Sequence, residues 1–309
     1  MSTDLQNPVS NRNRLSLAKV KSAITAYQIN NPDSVSLYSL NSARIDFVPY
    51  QFRPALKIIK SDSPRLLIAD DVGVGKTIEA GLILKELEAR AGIDSVLIIC
   101  PRPLVAERKW VMEMKRFDEN FTQLNGFELS ECILEADRDG EWPERHKKTI
   151  IPYSLFGEES LLGTVPKQNK KHGKMGLLQL DPPPHFDLVI VDEAHNIRNS
   201  NTYAYQGVEY FSQNADAVIL LTATPLQNSN NDLYTLLNLL RPDVVSDKDS
   251  FKTMAEPNVF VNSLLQTVRN QGNEWRKEAK EEIDRILSTT WGRNVISHNP
   301  NFAKVMPYK

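Results

Sequence analysis

Three absences bound the problem before any motif is read. Among 309 residues there are two cysteines, Cys100 and Cys132. They are too few and too far apart for a zinc cage or a disulfide framework, a usage that fits a reducing compartment. There is no excess of charge: 37 Lys and Arg face 39 Asp and Glu, a formal net charge of -2. Any grip on nucleic acid must then come from local basic surface. There is also no long apolar run at the start, MSTDLQNPVSNRNRLSLAKV, so neither a secretion signal nor a membrane anchor is expected there. The default expectation is a cytoplasmic chain with no membrane partner.

What is present suits a globular protein. With 41% hydrophobic and 25% charged residues, a sizeable core in one large domain or two modest ones is expected. Residues 1–46 read as a polar N-terminal arm, with Arg12, Arg14, Lys19 and Lys21 among many Asn and Ser. A solvated arm is the favoured reading over a DNA-contacting one. From residue 65 five short apolar runs follow: RLLIAD (65–70), SVLIICP (95–101), TIIPYS (149–154), FDLVIVDEA (186–194) and AVILLTAT (217–224). They are too short for typical helices, lack strict alternation and are rich in Ile, Val and Leu, as strands buried on both faces are. Between the first two, KTIEAGLILKELEARAG has helical spacing with Gly92 placed as a stop. This rhythm predicts an α/β fold, a parallel sheet with helices on both faces.

Two stretches break the rhythm. Residues 118–148 are polar and mixed. Residues 157–185, with KQNKKHGK (167–174) and Asp181-Pro182-Pro183-Pro184, are expected to form a surface insertion loop. Its Lys167, Lys170, Lys171 and Lys174 fit a solvated loop and a DNA-facing one equally well. Beyond residue 245 a helical stretch is expected near 259–288, and the last twenty residues look irregular.

The segment Ala69-Asp70-Asp71-Val72-Gly73-Val74-Gly75-Lys76-Thr77 follows a buried strand and opens a helix. In that context glycines let backbone N–H groups wrap phosphates at a helix N-terminus. Gly73, Val74 and Gly75 would form the cradle, Lys76 would reach the terminal phosphates, and the Thr77 hydroxyl would take a place on Mg²⁺. The strict pattern has Gly where Asp70 stands, so the match by pattern alone is imperfect. Downstream, Asp192-Glu193-Ala194-His195 closes a buried run at its carboxyl end, the edge where open parallel sheets bind ligands. Adjacent carboxylates are costly in a strand core, so their place at its tip suggests work near the phosphates. Asp192 would hold Mg²⁺, through water, and Glu193 would orient and deprotonate the attacking water.

Taken together, DDVGVGKTIEAG (70–81), ICPRPLVAERKW (99–110), DEAHNIRN (192–199) and LTATPLQNSNNDLYTLLNLLRP (221–242) resemble the first RecA-like lobe of Swi/Snf-type ATPases in helicase superfamily two. "GKTIEAG" and "TATP" lean toward the bacterial RapA-like branch, and Pro225-Leu226-Gln227-Asn228 is a feature that DEAH-box RNA helicases do not usually carry. The resemblance covers about residues 47–245. It implies a RecA-like P-loop NTPase lobe using ATP and Mg²⁺, with double-stranded DNA as the partner. Gln51 resembles the family's adenine-reading glutamine, although an ordinary polar residue at a helix start is an equal alternative. His195, Thr222 and Thr224 would couple the nucleotide site to the nucleic-acid groove. Pro101 and Arg102, with Pro103, and the Tyr153-Ser154 turn would touch the nucleic-acid backbone without reading sequence. Trp110, Met114 and Phe117 fall on one helix face and read as core.

Such motors hydrolyse ATP between two lobes, the second supplying arginines worth about 10³–10⁵ in rate in related phosphoryl-transfer enzymes. Residues 246–309 read as a helical extension or linker with no second-lobe motif. The chain alone is therefore expected to bind nucleotide weakly and turn it over poorly, as a split or truncated product or a fragment, with a second RecA-like lobe as its partner in cis or trans. A different superfamily-two motor, from a restriction system or an RNA helicase, and a non-catalytic scaffold that keeps the fold are the competing readings.

Overall fold

The computed structural model describes residues 37–303 apart from 40–43, 46–47, 62–63, 72, 165–173, 224–229, 271 and 273. A sheet is built in chain order from β1 (Arg65–Ile68), β2 (Val96–Cys100), β3 (Thr122–Gln123), β4 (Lys148–Pro152), β5 (Phe186–Val191) and β6 (Ala215–Leu221). Every pairing is parallel, and the spatial order is β1-β6-β5-β2-β4-β3. All carboxyl ends therefore share one edge.

Side chains alternate across the sheet because successive Cβ atoms point to opposite faces. Leu97, Ile99, Val189, Val191, Val218 and Leu220 enter one core, while Val96, Ile98, Leu188, Ile190, Ile219 and Leu221 enter the other. Both sets are fully buried, which explains why the strands read as continuous apolar runs rather than alternating ones. The second core is closed by α1 (Arg53–Ile58), α2 (Lys76–Ala91), α3 (Arg102–Ala106) and α4 (Lys109–Met114). The first is closed by α5 (Gly126–Asp139), α6 (Glu158–Leu162), α7 (Tyr203–Gln213) and α8 (Asn230–Leu240). Each fully buried Leu or Ile contributes about 1.5–3 kcal/mol by its removal from water.

Residues 118–148, read above as an interruption, hold both β3 and α5. In α5, Leu129, Cys132, Ile133 and Ala136 form a buried stripe at helical spacing. A capping box fixes its start: Asn125 Oδ1 accepts from the Phe127 and Glu128 amides at 2.9 and 3.0 Å, and Glu128 accepts from the Asn125 amide at 2.8 Å. The polar majority on its outer face hides this stripe from a compositional reading. β3 is a two-residue edge strand and leaves almost no apolar signal.

The surface loop expected over 157–185 is corrected at both ends, since Glu158–Leu162 form α6 and Leu161, Leu177 and Leu180 are buried in the first core. Thr164 and Lys174 exchange backbone hydrogen bonds of 2.9 and 3.1 Å, and Lys174 pairs with Glu159. Lys167, Lys170 and Lys171 lie outside the described residues. The single helical stretch expected near 259–288 is two helices. They belong to a run of α9 (Lys248–Ala255), α10 (Asn258–Asn270), α11 (Trp275–Ser288), α12 (Thr290–Asn294) and α13 (Pro300–Ala303), so the last twenty residues are partly helical. Phe251, Ala279, Ile283 and Ile286 are buried but join neither core of the sheet.

The polar reading of the arm holds less well at its end. Leu37 and Ser39 are buried, and the Ser39 amide and hydroxyl both donate to Glu86 of α2 at 2.7 Å. Among the described residues no helix is long and apolar enough to cross a membrane, and Cys100 and Cys132 are both free and buried.

Candidate active site

The chain leaves β1 at Ile68, turns through residues 69–75 and enters α2 at Lys76. Gly73 and Gly75 are left-handed, with φ of 87° and 99°, a backbone open to glycine at no steric cost. Gly75 also leaves room for the Gln51 amide: a Cβ there would lie 2.3 Å from Gln51 Nε2, which would have to turn away. Gln51, only 8% exposed, donates from Nε2 to the Val74 carbonyl at 2.9 Å, and the Tyr50 hydroxyl donates to the same oxygen at 2.9 Å. The loop is thus braced from behind by the segment that precedes α1. Lys76 Nζ donates to the carbonyls of Asp70 and Asp71 at 2.9 and 3.0 Å, which sets the ammonium in the hollow of the loop. Thr77 follows on the first turn of α2, whose N-terminal amides and dipole favour an anion. Asp70 is not among the residues with positive φ. Its departure from the strict glycine pattern therefore costs the backbone nothing.

At the other strand tip, the Asp192 amide donates to the Ile99 carbonyl at 2.8 Å. Asp192 is 6% exposed and held at three points. Its Oδ1 accepts from the Glu193 amide and its Oδ2 from the Trp110 indole, both at 2.9 Å, and its main-chain carbonyl accepts from the Tyr153 hydroxyl at 2.7 Å. Burial pushes the Asp192 carboxyl above its ordinary pKa, with Glu193 adding to the rise and the Trp110 bond opposing it. Glu193 has φ 51° and ψ 50°, a left-handed conformation that costs a non-glycine residue about 1–2 kcal/mol and of a kind that clusters at functional sites. Its Oε2 lies 3.3 Å from His195 Nδ1.

Between the two tips stands β6. The Thr222 amide, one residue past it, donates to the Ile68 carbonyl at 3.0 Å, and Thr222 is buried. With the order β1-β6-β5, Asp192 and the loop are separated by two strand spacings, about 10 Å, on one edge. Thr224, together with Pro225, Leu226, Gln227 and Asn228, lies outside the described residues.

The segments after β2 and β4 flank this edge. Pro101 caps α3, Arg102 and Pro103 are exposed, and Ser154 is exposed. Tyr153 is different. Its ring is buried and its hydroxyl is turned onto Asp192, so of that pair only Ser154 offers its side chain to the surface.

Trp110, Met114 and Phe117 are core residues, as their spacing suggested. The sequence reading missed the polar end of Trp110, although a buried indole N–H ordinarily finds a partner. It also missed Glu79. This carboxyl is 1% exposed and stands beside that of Asp70; burial first, then the Asp70 charge and a hydrogen bond shared with it, push its pKa up to about 7 against the pull of Lys76. It borders a cleft of about 370 Å³ between α1 and β1, lined also by Tyr50, Arg53, Lys57 and Asp70. A lone acid inside the apolar stretch IEAGLIL was the available signal.

The residues fit a hard divalent cation. Each Asp192 oxygen keeps a lone pair beyond its one N–H partner, oxygen donors suit Mg²⁺, and a cation would offset the burial that disfavours the charged carboxylate. A separate group, His185, Asp187 and Asp216, sits at the opposite end of β5 and β6. There the Asp187 carboxylate is engaged by the amides of Asp94 and Ser95 at 2.8 Å.

The family model for the SNF2-related domain matches residues 37–298. The RNA polymerase-associated protein RapA of Vibrio parahaemolyticus is 31% identical over 249 residues, which are 79% of this chain and 24% of that protein. The Actinobacillus pleuropneumoniae protein of the same name is 32% identical over 222 residues, 70% of this chain and 21% of the relative. The chain thus spans about a quarter of the length of these curated relatives. Among solved structures, the Sulfolobus solfataricus SWI2/SNF2 ATPase core in complex with dsDNA aligns with 79% of this chain and 44% of its own, with 19% identity and a TM-score of 0.49.

Proposed function

The chain belongs to the SNF2-related domain family, and on that footing we propose that residues 47–245 are the first RecA-like, ATP-binding lobe of a DNA-dependent ATPase, with 246–309 a helical extension from it. The observation that carries this reading is the shared carboxyl edge, on which the loop after β1 and the acids after β5 stand two strand spacings apart. On this reading Gln51 turns its amide from the Val74 carbonyl to the adenine, Gly73, Val74 and Gly75 wrap the phosphates with their amides, and Lys76 moves from the loop carbonyls to the terminal phosphates. Thr77 and Asp192 would hold Mg²⁺, which when bound neutralises charge on the phosphates. Glu193 accepts a proton from the water whose oxygen bonds to the γ-phosphorus as the bond to the β–γ bridging oxygen breaks and ADP leaves.

His195, 3.3 Å from Glu193, and Thr222, one residue past β6, would couple this event to the nucleic-acid groove, with Thr224 assigned the same role by its motif. Arg102 and Ser154 would grip the backbone of double-stranded DNA. The lobe would work in the cytoplasm, with a second RecA-like lobe, in cis or trans, closing the site and supplying arginines to it. Phosphate release tests this. The 309-residue chain is expected to stay near background. Joined to the second lobe of one of its RapA relatives, it is expected to show DNA-stimulated turnover that Lys76→Ala abolishes. A folded, DNA-binding joined protein without stimulated turnover overturns the motor reading.

A further inference from the structure

Asp192 is held by two residues from outside the nucleotide motifs. Trp110 lies on α4, which follows β2, and Tyr153 is the first residue past β4. Trp110 is 1% exposed, and its indole N–H, a donor only, is spent on Asp192 Oδ2 at 2.9 Å. The Glu193 amide occupies Oδ1 at 2.9 Å. With one N–H on each oxygen the carboxylate plane is set, whereas the terminal torsion of an unheld aspartate is broad. The Tyr153 hydroxyl, at 2.7 Å from the Asp192 carbonyl, sets the peptide plane that leads into the left-handed Glu193.

We propose that Trp110 and Tyr153 are positioning residues for the magnesium–nucleotide site. They fix the orientation in which Asp192 faces the phosphate loop, and they do so from the two segments that also carry Arg102 and Ser154. The proposal rests on the nucleotide-site reading above. A purely structural role for these rings predicts lower stability and equal loss of all nucleotide binding. A positioning role predicts a selective change in magnesium dependence.

Equilibrium binding of a fluorescent ADP analogue to the full chain, titrated with Mg²⁺ and repeated in EDTA, separates the two. In Trp110→Phe and in Tyr153→Phe the Mg²⁺ concentration for half-maximal effect is expected to rise about tenfold or more, since losing an outer-shell partner weakens metal sites by about 10–100-fold. Affinity in EDTA is expected to match wild type. Tryptophan emission gives a second readout, because the other tryptophans, Trp142, Trp275 and Trp291, lie in other parts of the chain, after α5 and on α11 and α12. The emission change on adding Mg²⁺ to the nucleotide complex is expected to vanish in Trp110→Phe. Should Trp110→Phe fail to fold, Tyr153→Phe decides, since it removes one hydroxyl from an otherwise unchanged ring. Wild-type magnesium dependence in a folded variant overturns the proposal. If Lys76→Ala leaves wild-type nucleotide binding intact, the nucleotide-site reading falls instead.

Discussion

Glu79 stands buried in the first turn of α2 beside Asp70, and its pKa of about 7 lies above the usual 4.5. The folded state therefore holds this proton more tightly than the unfolded chain does. Its contribution is most favourable in acid and is lost as pH rises from about 4.5 to about 7, after which it is flat. The gap corresponds to about 3 kcal/mol. Glu79→Gln is expected to melt with wild type near pH 5 and about 5 °C or more above it at pH 8. Melting curves at the two pH values check this, and the same difference at both would contradict it. Residue-scale chemistry was only partly legible in the sequence. Lys76, Asp192 and Glu193 announce themselves through their motifs. Trp110 and Tyr153 do not, because their bonds to Asp192 span 82 and 39 residues and exist only once β2, β4 and β5 have been laid side by side.

At the scale of elements, α2 carries the loop and is seated by close approach. A Cβ on Gly81 would lie 2.3 Å from the buried Phe117 ring. Gly81→Ala should cost about 1–3 kcal/mol by overpacking, more than the helix propensity gained; urea unfolding would show it as a lower midpoint. A stability equal to or above wild type would contradict the packing described. Asn125→Ala, which removes one side of the α5 capping box, should cost about 1 kcal/mol in the same assay. Five of the six strands could be read in advance: burial on both faces leaves unbroken Ile, Val and Leu runs in the four interior ones, and the edge strand β1 keeps a short apolar run of its own. α5 and β3 could not, since one presents a mostly polar outer face and the other is too short to pattern. The division of the C-terminal stretch into α10 and α11 was also hidden, because both halves have helical spacing and the break falls between them.

At the scale of the whole molecule, a net charge of -2 leaves nucleic-acid binding to local groups such as Arg102. Binding to double-stranded DNA is expected to weaken steeply with salt and to ignore sequence, with Arg102→Ala lowering the salt slope by about 1. Binding titrations at several salt concentrations on two unrelated duplexes test this. A salt-independent or sequence-selective signal would contradict a backbone grip. The parallel sheet decides the rest, since it delivers every strand tip to one edge and so brings two motifs 116 positions apart, those of Lys76 and Asp192, to that edge, two strand spacings from one another. The most direct measurement is equilibrium binding of ATP with Mg²⁺ to the 309-residue chain and to its Lys76→Ala and Asp192→Asn forms. Measurable wild-type affinity, weakened at least about tenfold in each folded variant, is the predicted result. Wild-type affinity in either variant would contradict the account.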